Sequence, residues 1–120
     1  MKYFLDTYAL IELIKGNPKY KRFINEELFT SILNLYELHY IILRDFSEEK
    51  AKEYFYEFFN FLMPLKPEHI FAASEFKFEH KKQNISYSDA LGYAIAIKEG
   101  MKFLTGDNAF KSIKNVEFVK

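Results

Sequence analysis

A chain of 120 residues is long enough for one hydrophobic core and too short for two, so we expect a single domain spanning residues 1–120. It contains no cysteine, which excludes disulfides, zinc–thiolate sites and thiol nucleophiles. Lys and Arg number 17, as do Asp and Glu, so the chain as a whole has no electrostatic attraction to nucleic acids or membranes. A nucleic-acid partner would have to use a local patch.

The hydropathy pattern shows no membrane or export signal. No apolar run approaches the roughly 20 residues that span a bilayer. The N-terminus also lacks the basic and apolar regions of a signal peptide. We therefore expect a cytoplasmic protein with no membrane partner.

The N-terminal half alternates strands and helices. The first predicted strand, residues 2–7, ends on Asp6 and Thr7, and a helix follows from residue 8 to residue 15. It stops at Gly16, a typical C-cap residue, with a proline two residues later. A second strand at 27–31 leads into a helix from Asn34 to about Arg44.

The C-terminal half continues the same alternation. Its predicted elements are a helix at 48–61, an extended segment at 63–65 that could be an edge strand, a helix at 67–83, a helix capped by Ser86 and ending at Gly100, and strands at 101–105 and 116–119. This βα order predicts an α/β fold, a three-layer α/β/α sandwich around a mostly parallel sheet of four to five strands.

Aromatic residues make up 19% of the chain and are concentrated between Tyr36 and Phe78. Two interpretations are open for this segment. It can supply a core filled with phenylalanine, or part of it can form a surface for a partner or for a second copy of the chain.

Four acidic residues occupy positions typical of a ligand site, although each also has a structural explanation. Asp6 could be the N-cap of the first helix, and Asp107 in Gly-Asp-Asn could be a turn residue. Glu37 follows Asn34, and Asp89 follows Ser86, at the three-residue spacing of a capping box.

Topology favours a shared role for the four. Asp6 and Asp107 follow strands, whereas Glu37 and Asp89 lie near helix starts, and in a parallel sheet both positions fall at the carboxyl edge, where such folds bind ligands. Two carboxylates about 5 Å apart repel by roughly 3 kcal/mol at an effective dielectric constant near 20. A hard divalent cation relieves this repulsion, and oxygen-only ligands favour Mg²⁺ or Mn²⁺ over Zn²⁺. Such a site suits hydrolysis of phosphodiester bonds.

Four motifs carry these acids: Phe4-Leu5-Asp6-Thr7, Tyr36-Glu37-Leu38, Ser88-Asp89-Ala90-Leu91-Gly92-Tyr93-Ala94 and Leu104-Thr105-Gly106-Asp107-Asn108-Ala109-Phe110. In order and spacing they resemble the motifs of the PIN-domain ribonucleases, and the chain length is most similar to that of the VapC toxins of bacterial and archaeal toxin–antitoxin pairs.

The resemblance implies an endoribonuclease that depends on Mg²⁺ or Mn²⁺ and uses Asp6, Glu37, Asp89 and Asp107. It places Thr7 and Thr105 where relatives keep a small polar group near the metal. It further implies an RNA substrate, a homodimer, and a small antitoxin protein whose C-terminal segment lies over the active-site groove. Asn108 stands where some relatives place another acid, which favours one bound ion over two.

Two rival functions stay open. A haloacid-dehalogenase-like phosphatase also begins with a strand ending in Asp, but it needs a second Asp two residues later, where this chain has Tyr8. The other rival is a PIN fold kept as a catalytically silent binding module. The three histidines and Glu12 lack the spacing of a catalytic or metal site, and we interpret them as structural or solvent-facing residues.

Overall fold

The structure, a computed structural model that describes residues 1–120, has one sheet of four strands at its centre. The strands are β1 (Lys2–Leu5), β2 (Glu27–Phe29), β3 (Lys102–Thr105) and β4 (Val116–Phe118). Their order across the sheet is β2-β1-β3-β4, and every pairing is parallel. The predicted α/β class is confirmed, and the sheet is wholly rather than mostly parallel.

Five helices cover the two faces of this sheet. They are α1 (Thr7–Lys15), α2 (Ile32–Asp45), α3 (Glu48–Phe59), α4 (Pro67–Glu79) and α5 (Tyr87–Lys98). No helix combines the length and the hydrophobicity that a membrane-spanning segment needs.

Alternation along the strands divides the core in two, because successive side chains of a strand point to opposite faces. Leu5 and Leu104 pack with the apolar residues of α1, α2 and α3. Phe4 and Phe103 face the other way and pack with α4 and α5. The result is the predicted three-layer arrangement of helices, sheet and helices.

The chain changes direction across the sheet at β1. Its crossover through α1 leads to β2 on one side, whereas α5 leads into β3 on the other side. The carboxyl ends of β1 and β3 therefore flank the topological switch point, where open α/β sheets form a crevice. Asp6 directly follows β1 at this crevice.

Several predicted boundaries were wrong for local reasons. The first strand, predicted to reach residue 7, ends at Leu5, because Asp6 caps α1 and the helix starts at Thr7. Residues 63–65 form no strand, since pairing is limited to a bridge between Thr30 and Leu62, and Pro64 has no backbone NH to extend it. The helix predicted to reach residue 83 ends at Glu79, and a 3₁₀ turn, Lys81–Gln83, precedes Asn84 in the left-handed conformation. The second strand stops at residue 29, because Ser31 already caps α2.

The aromatic segment between Tyr36 and Phe78 contributes little to the core. Among its aromatic residues only Phe58 is buried, and the other buried aromatic side chains lie outside it, at Tyr3, Phe4, Tyr20, Phe23, Tyr93, Phe103 and Phe110. Tyr36 and Tyr40 on α2 and Tyr56 and Phe59 on α3 are exposed. Partly buried aromatic residues of the segment also pack against the core, namely Tyr54, Phe55, Phe61 and Phe76. Both interpretations therefore hold in part: some of the segment lines the core and the rest is exposed surface.

Gly92 tests how tightly α5 packs on the sheet. A Cβ atom at this position would lie 2.5 Å from Phe4 Cε1 and 3.1 Å from Phe103 Cε1, and both rings are fully buried. In an exposed helix interior, Gly→Ala stabilises by about 1 kcal/mol. Here we expect Gly92→Ala to destabilise by about 1–3 kcal/mol through overpacking, measured as a lower urea midpoint with an unchanged m-value. Ser74→Ala, on the exposed face of α4, is the control and should leave the free energy of unfolding nearly unchanged. A Gly92→Ala variant that is more stable than the wild type would contradict close contact between Gly92 and the Phe4 and Phe103 rings.

Candidate active site

Asp6 is held at the switch point by hydrogen bonds from both neighbouring elements. Its Oδ1 accepts from the backbone NH of Ala9 at 2.9 Å, so Asp6 does cap α1. Its Oδ2 accepts from Thr105 Oγ1 at 2.5 Å, across the gap between β1 and β3. Only 2% of Asp6 is exposed. The capping role therefore accounts for one carboxylate oxygen and leaves the other facing the end of β3.

Asp107 is tied to the same pair of residues. Its backbone NH donates to Thr105 Oγ1 at 3.0 Å, so the Thr105 hydroxyl accepts from one acidic residue and donates to the other. The Asp107 carboxylate accepts from the NH of Ala109 at 3.0 Å and caps a short 3₁₀ turn, Asn108–Phe110. The turn role predicted as an alternative is real, and it fixes Asp107 beside Asp6.

Glu37 is not part of a capping box. The N-cap of α2 is Ser31, whose Oγ accepts from the NH of Asn34, so Glu37 lies in the second turn of the helix. Its Oε1 accepts from Thr7 Oγ1 at 2.6 Å. The structural explanation suggested by the sequence is therefore wrong for Glu37, and its partner comes from α1.

Asp89 lies in the first turn of α5. Ser86 caps this helix by accepting from the NH of Asp89 at 3.1 Å, as the sequence predicts. No return bond from the Ser86 backbone to the Asp89 carboxylate completes the box. The carboxylate is left facing the cluster formed by the other acids.

The four carboxylates act on one another electrostatically. Burial raises the pKa of Asp6 to about 8, against two hydrogen bonds that lower it, and the charges of Asp89 and Asp107 raise it further. Burial also raises the pKa of Asp89 to about 6, with added repulsion from Asp107 and Glu37. Asp6 is thus close enough to Asp89 and Asp107 to feel their charges, and Asp89 is close enough to feel those of Asp107 and Glu37.

Polar side chains buried in this protein are concentrated around the acids. Apart from His69, every buried polar or charged residue lies at this edge: Asp6, Thr7, Thr30, Ser31, Asn34, Ser88 and Thr105. None of their buried polar atoms lacks a hydrogen-bond partner. The sequence singled out Thr7 and Thr105 but missed Thr30, Ser31 and Asn34 as members of the site. In the sequence these residues form a run of small polar side chains after a strand, a pattern that is equally typical of the start of a helix.

The remaining candidates have structural partners elsewhere. Glu12 accepts from Asn17 Nδ2 at 2.8 Å. His39 packs edge-on against Phe55, and His69, fully buried, pairs with Glu99 at 2.8 Å, an acid distant in sequence that its spacing did not reveal. Tyr8 packs against Gly106 and supplies no second carboxylate next to Asp6.

The donor chemistry of the acidic cluster fits a hard divalent cation, since all candidate ligands are carboxylate oxygens. Their burial and mutual repulsion also make a cation favourable. No three acidic or histidine side chains lie close enough together to hold a metal ion as the side chains stand.

The sequence profile of the PIN domain matches residues 3–116. The chain belongs to the PIN-domain family. No curated protein matches it in sequence. The resemblance seen in the four acidic motifs is therefore confirmed at the level of the family.

Solved structures share the same PIN fold at low identity. VapC20 from Mycobacterium tuberculosis, a Sarcin-Ricin loop cleaving toxin, gives a TM-score of 0.79 at 19% identity and covers 98% of this chain and 96% of its own. VapBC-1 from nontypeable Haemophilus influenzae gives 0.76 at 19% identity, covering 100% and 98%. VapBC2 from Rickettsia felis, solved bound to a DNA fragment from its own promoter, gives a TM-score of 0.75 at 23% identity and covers 99% of this chain and 98% of its own. These likenesses confirm the PIN-like architecture.

The raised pKa of Asp6 predicts an unusual pH dependence of stability without metal. Because its pKa rises from 3.8 unfolded to about 8 folded, the folded state binds more protons between these values, and the free energy of unfolding falls as pH rises from about 4 to 8. We expect Asp6→Asn to remove much of this slope and to raise the thermal midpoint at pH 8 in EDTA. At pH 4 the variant should match the wild type.

Glu57→Gln removes the same charge from an exposed position on α3 and serves as the control. It should keep the wild-type slope. An Asp6→Asn variant with the wild-type slope, or with a lower midpoint at pH 8, would contradict a buried Asp6 that resists ionisation.

Proposed function

We propose that this protein is a metal-dependent endoribonuclease that hydrolyses RNA phosphodiester bonds, acting as the toxin of a toxin–antitoxin pair. The observation that carries the proposal is the set of four carboxylates around the topological switch point, with Asp6 buried at its centre. PIN-domain nucleases generally use divalent metals, and the all-oxygen donor set fits Mg²⁺ or Mn²⁺.

The four acids divide into two pairs in this proposal. Asp6 and Asp89, whose pKa values are raised by burial and by neighbouring charge, are the principal ligands of the ion. Glu37 and Asp107 complete the acidic constellation, and Thr7 and Thr105 orient Glu37 and Asp6 through their hydroxyl groups. A divalent ion held by these acids would supply Lewis-acid chemistry for phosphodiester hydrolysis.

The charge balance of the chain bears on its substrate. With no net charge, non-specific attraction to the phosphate backbone is weak. Recognition would then depend on the shape of an RNA loop and on unstacked bases rather than on duplex charge. A cytoplasmic location agrees with such a substrate.

Cleavage of RNA in the presence of Mn²⁺ tests the proposal. We expect Asp6→Asn and Asp89→Asn each to reduce cleavage of a total RNA pool by more than about 100-fold, because outer-shell partners of a metal already cost about 10–100-fold. Thr7→Val and Thr105→Val should fall within that smaller range. Cleavage is followed by gel, and Mn²⁺ binding by calorimetry.

Glu57→Gln is again the matched control and should cleave RNA like the wild type. Undiminished cleavage by both Asp variants would refute the assignment of the site. A wild type that binds Mn²⁺ without cleaving RNA would favour the silent binding module.

We also propose that an antitoxin segment covers the exposed side of α2. Tyr36 and Tyr40 flank Glu37 and line one hollow with it and Ile41, although 70% of Tyr36 is exposed. A second hollow, between α2 and α3, is lined by Tyr36, Phe55 and Tyr56. A segment with apolar residues for these hollows and a Lys or Arg for Glu37 matches this surface. The remaining exposed aromatic residues are available to a homodimer contact.

Charge substitutions in α2 test the partner surface. If a short reading frame lies directly upstream of the gene for this chain, co-expression with the small protein that it encodes should yield a stable complex. We expect Tyr36→Glu with Tyr40→Glu to abolish this complex, because each places a charge in an apolar contact.

Phe78→Glu is the control, since 72% of Phe78 is exposed on α4, away from this surface. It should leave the complex intact, as measured by size-exclusion chromatography. Loss of the complex in the Phe78 variant alone would place the partner on α4 instead.

A further inference from the structure

We propose that Asn34 is a positioning residue for Glu37 and acts on it through the hydroxyl of Thr7. The inference rests on the proposed function, because it concerns how one acid of the cluster is held for an ion. Asn34 itself forms no hydrogen bond with any of the four acids. Its side-chain hydrogen bonds connect Ser31, at the start of α2, with Thr7, at the start of α1.

The hydrogen bonds form one directed chain. Ser31 Oγ accepts from the NH of Asn34 at 3.2 Å and therefore keeps its proton for Asn34 Oδ1, at 2.7 Å. This fixes the orientation of the amide, so that Nδ2 donates to Thr7 Oγ1 at 3.1 Å. Thr7 Oγ1 in turn donates to Glu37 Oε1 at 2.6 Å.

Proton counting explains why the amide matters. A threonine hydroxyl has one proton to donate and lone pairs that accept. Because Asn34 Nδ2 fills an acceptor site on Thr7, the single Thr7 proton is directed to Glu37. Without that donor, only Glu37 itself constrains the Thr7 hydroxyl, and the charge-assisted bond between them is less firmly oriented.

The fold alone does not account for the Asn34 side chain. Ser31 already caps α2, and Asn34 occupies its third position, where an apolar residue would be buried without needing polar partners. Asn34 is 0% exposed, and a buried amide is unfavourable unless it is hydrogen-bonded. Both ends of the amide are bonded, and the end that faces the acids bonds only Thr7.

A double-mutant cycle on Asn34 and Thr7 separates this role from a structural one. Asn34→Leu removes the amide at similar volume, and Thr7→Val removes the hydroxyl at similar shape. The Kd for Mn²⁺ is measured by calorimetry, kcat and KM on an RNA substrate, and the thermal midpoint in EDTA. Asn34→Ser, which is too short to reach Thr7, replaces Asn34→Leu if the latter does not fold.

Outer-shell partners that bond a metal ligand directly are worth about 10–100-fold in metal affinity, which is the position of Thr7. Since Asn34 acts through Thr7, we expect Asn34→Leu to weaken Mn²⁺ binding by no more than Thr7→Val does, about 10-fold. The substitution should lower kcat with little change in KM, since it does not touch the RNA. On the Thr7→Val background it should weaken Mn²⁺ binding no further, because the chain is already broken at the hydroxyl. A changed thermal midpoint in EDTA with an unchanged Kd for Mn²⁺ and an unchanged kcat would indicate a purely structural role for Asn34.

Two results overturn the inference. The first is an Asn34→Leu variant that binds Mn²⁺ like the wild type. The second is an Asn34→Leu substitution that weakens Mn²⁺ binding by the same factor in the wild type and in the Thr7→Val background. A wild type that binds Mn²⁺ but does not cleave RNA refutes the proposed function, while the affinity cycle still tests Asn34. A wild type that binds no Mn²⁺ overturns both proposals.

Discussion

The bond between Thr105 and Asp6 is the contact on which the organisation of the site depends. It joins the ends of β1 and β3 at the topological switch point, where the chain reverses the direction in which it adds strands to the sheet. The Asp6 carboxylate in this bond is almost fully buried. Burying an ionisable carboxylate is unfavourable unless other groups hydrogen-bond it or share its charge. The backbone of α1 supplies one such bond, and Thr105 supplies the other. Thr105 then accepts from the backbone of Asp107, so a single hydroxyl sets the spacing of two acids.

A second arrangement of the same kind holds the opposite side of the site. There Thr7 donates to Glu37, and Thr7 directly follows Asp6 at the start of α1. Both hydroxyl groups leave the carboxylates as acceptors, the state in which they can bind a cation. Asp89 lies in the first turn of α5, and its pKa is raised mainly by burial and then by repulsion from Asp107 and Glu37. Asp6 is therefore the acid with the most hydrogen-bond support in the cluster, with one donor from α1 and one from β3.

The sequence predicted the strands and the shared edge because both depend on local patterns. Apolar runs ending on Asp6 and Thr105 mark strand ends, and parallel topology then brings those ends together. The start of α2 could not be predicted as well, since Ser31 and Asn34 are both good N-cap residues and lie three apart. That ambiguity put Glu37 in the wrong turn and concealed the bonds from Asn34 to Thr7 and from Thr7 to Glu37. These bonds join residues 27 and 30 positions apart, beyond any local pattern. In α3, helical spacing does separate the aromatic residues: Tyr54, Phe55 and Phe58 face the core, whereas Tyr56 and Phe59 are exposed.

Two unfavourable features of the isolated protein meet at Glu37. The acidic cluster carries charge that burial makes costly, and the tyrosines on either side of Glu37 expose apolar surface to water. A divalent cation relieves the first and does nothing for the second. A partner segment with a basic residue and apolar neighbours relieves both at once, and it would do so by occupying the position that the cation needs. Under the proposed function, inhibition by such a partner and activation by a metal ion are then competing solutions to the same electrostatic problem. The exposed aromatic surface gives the partner binding energy that the ion lacks, because burying it removes apolar area from water.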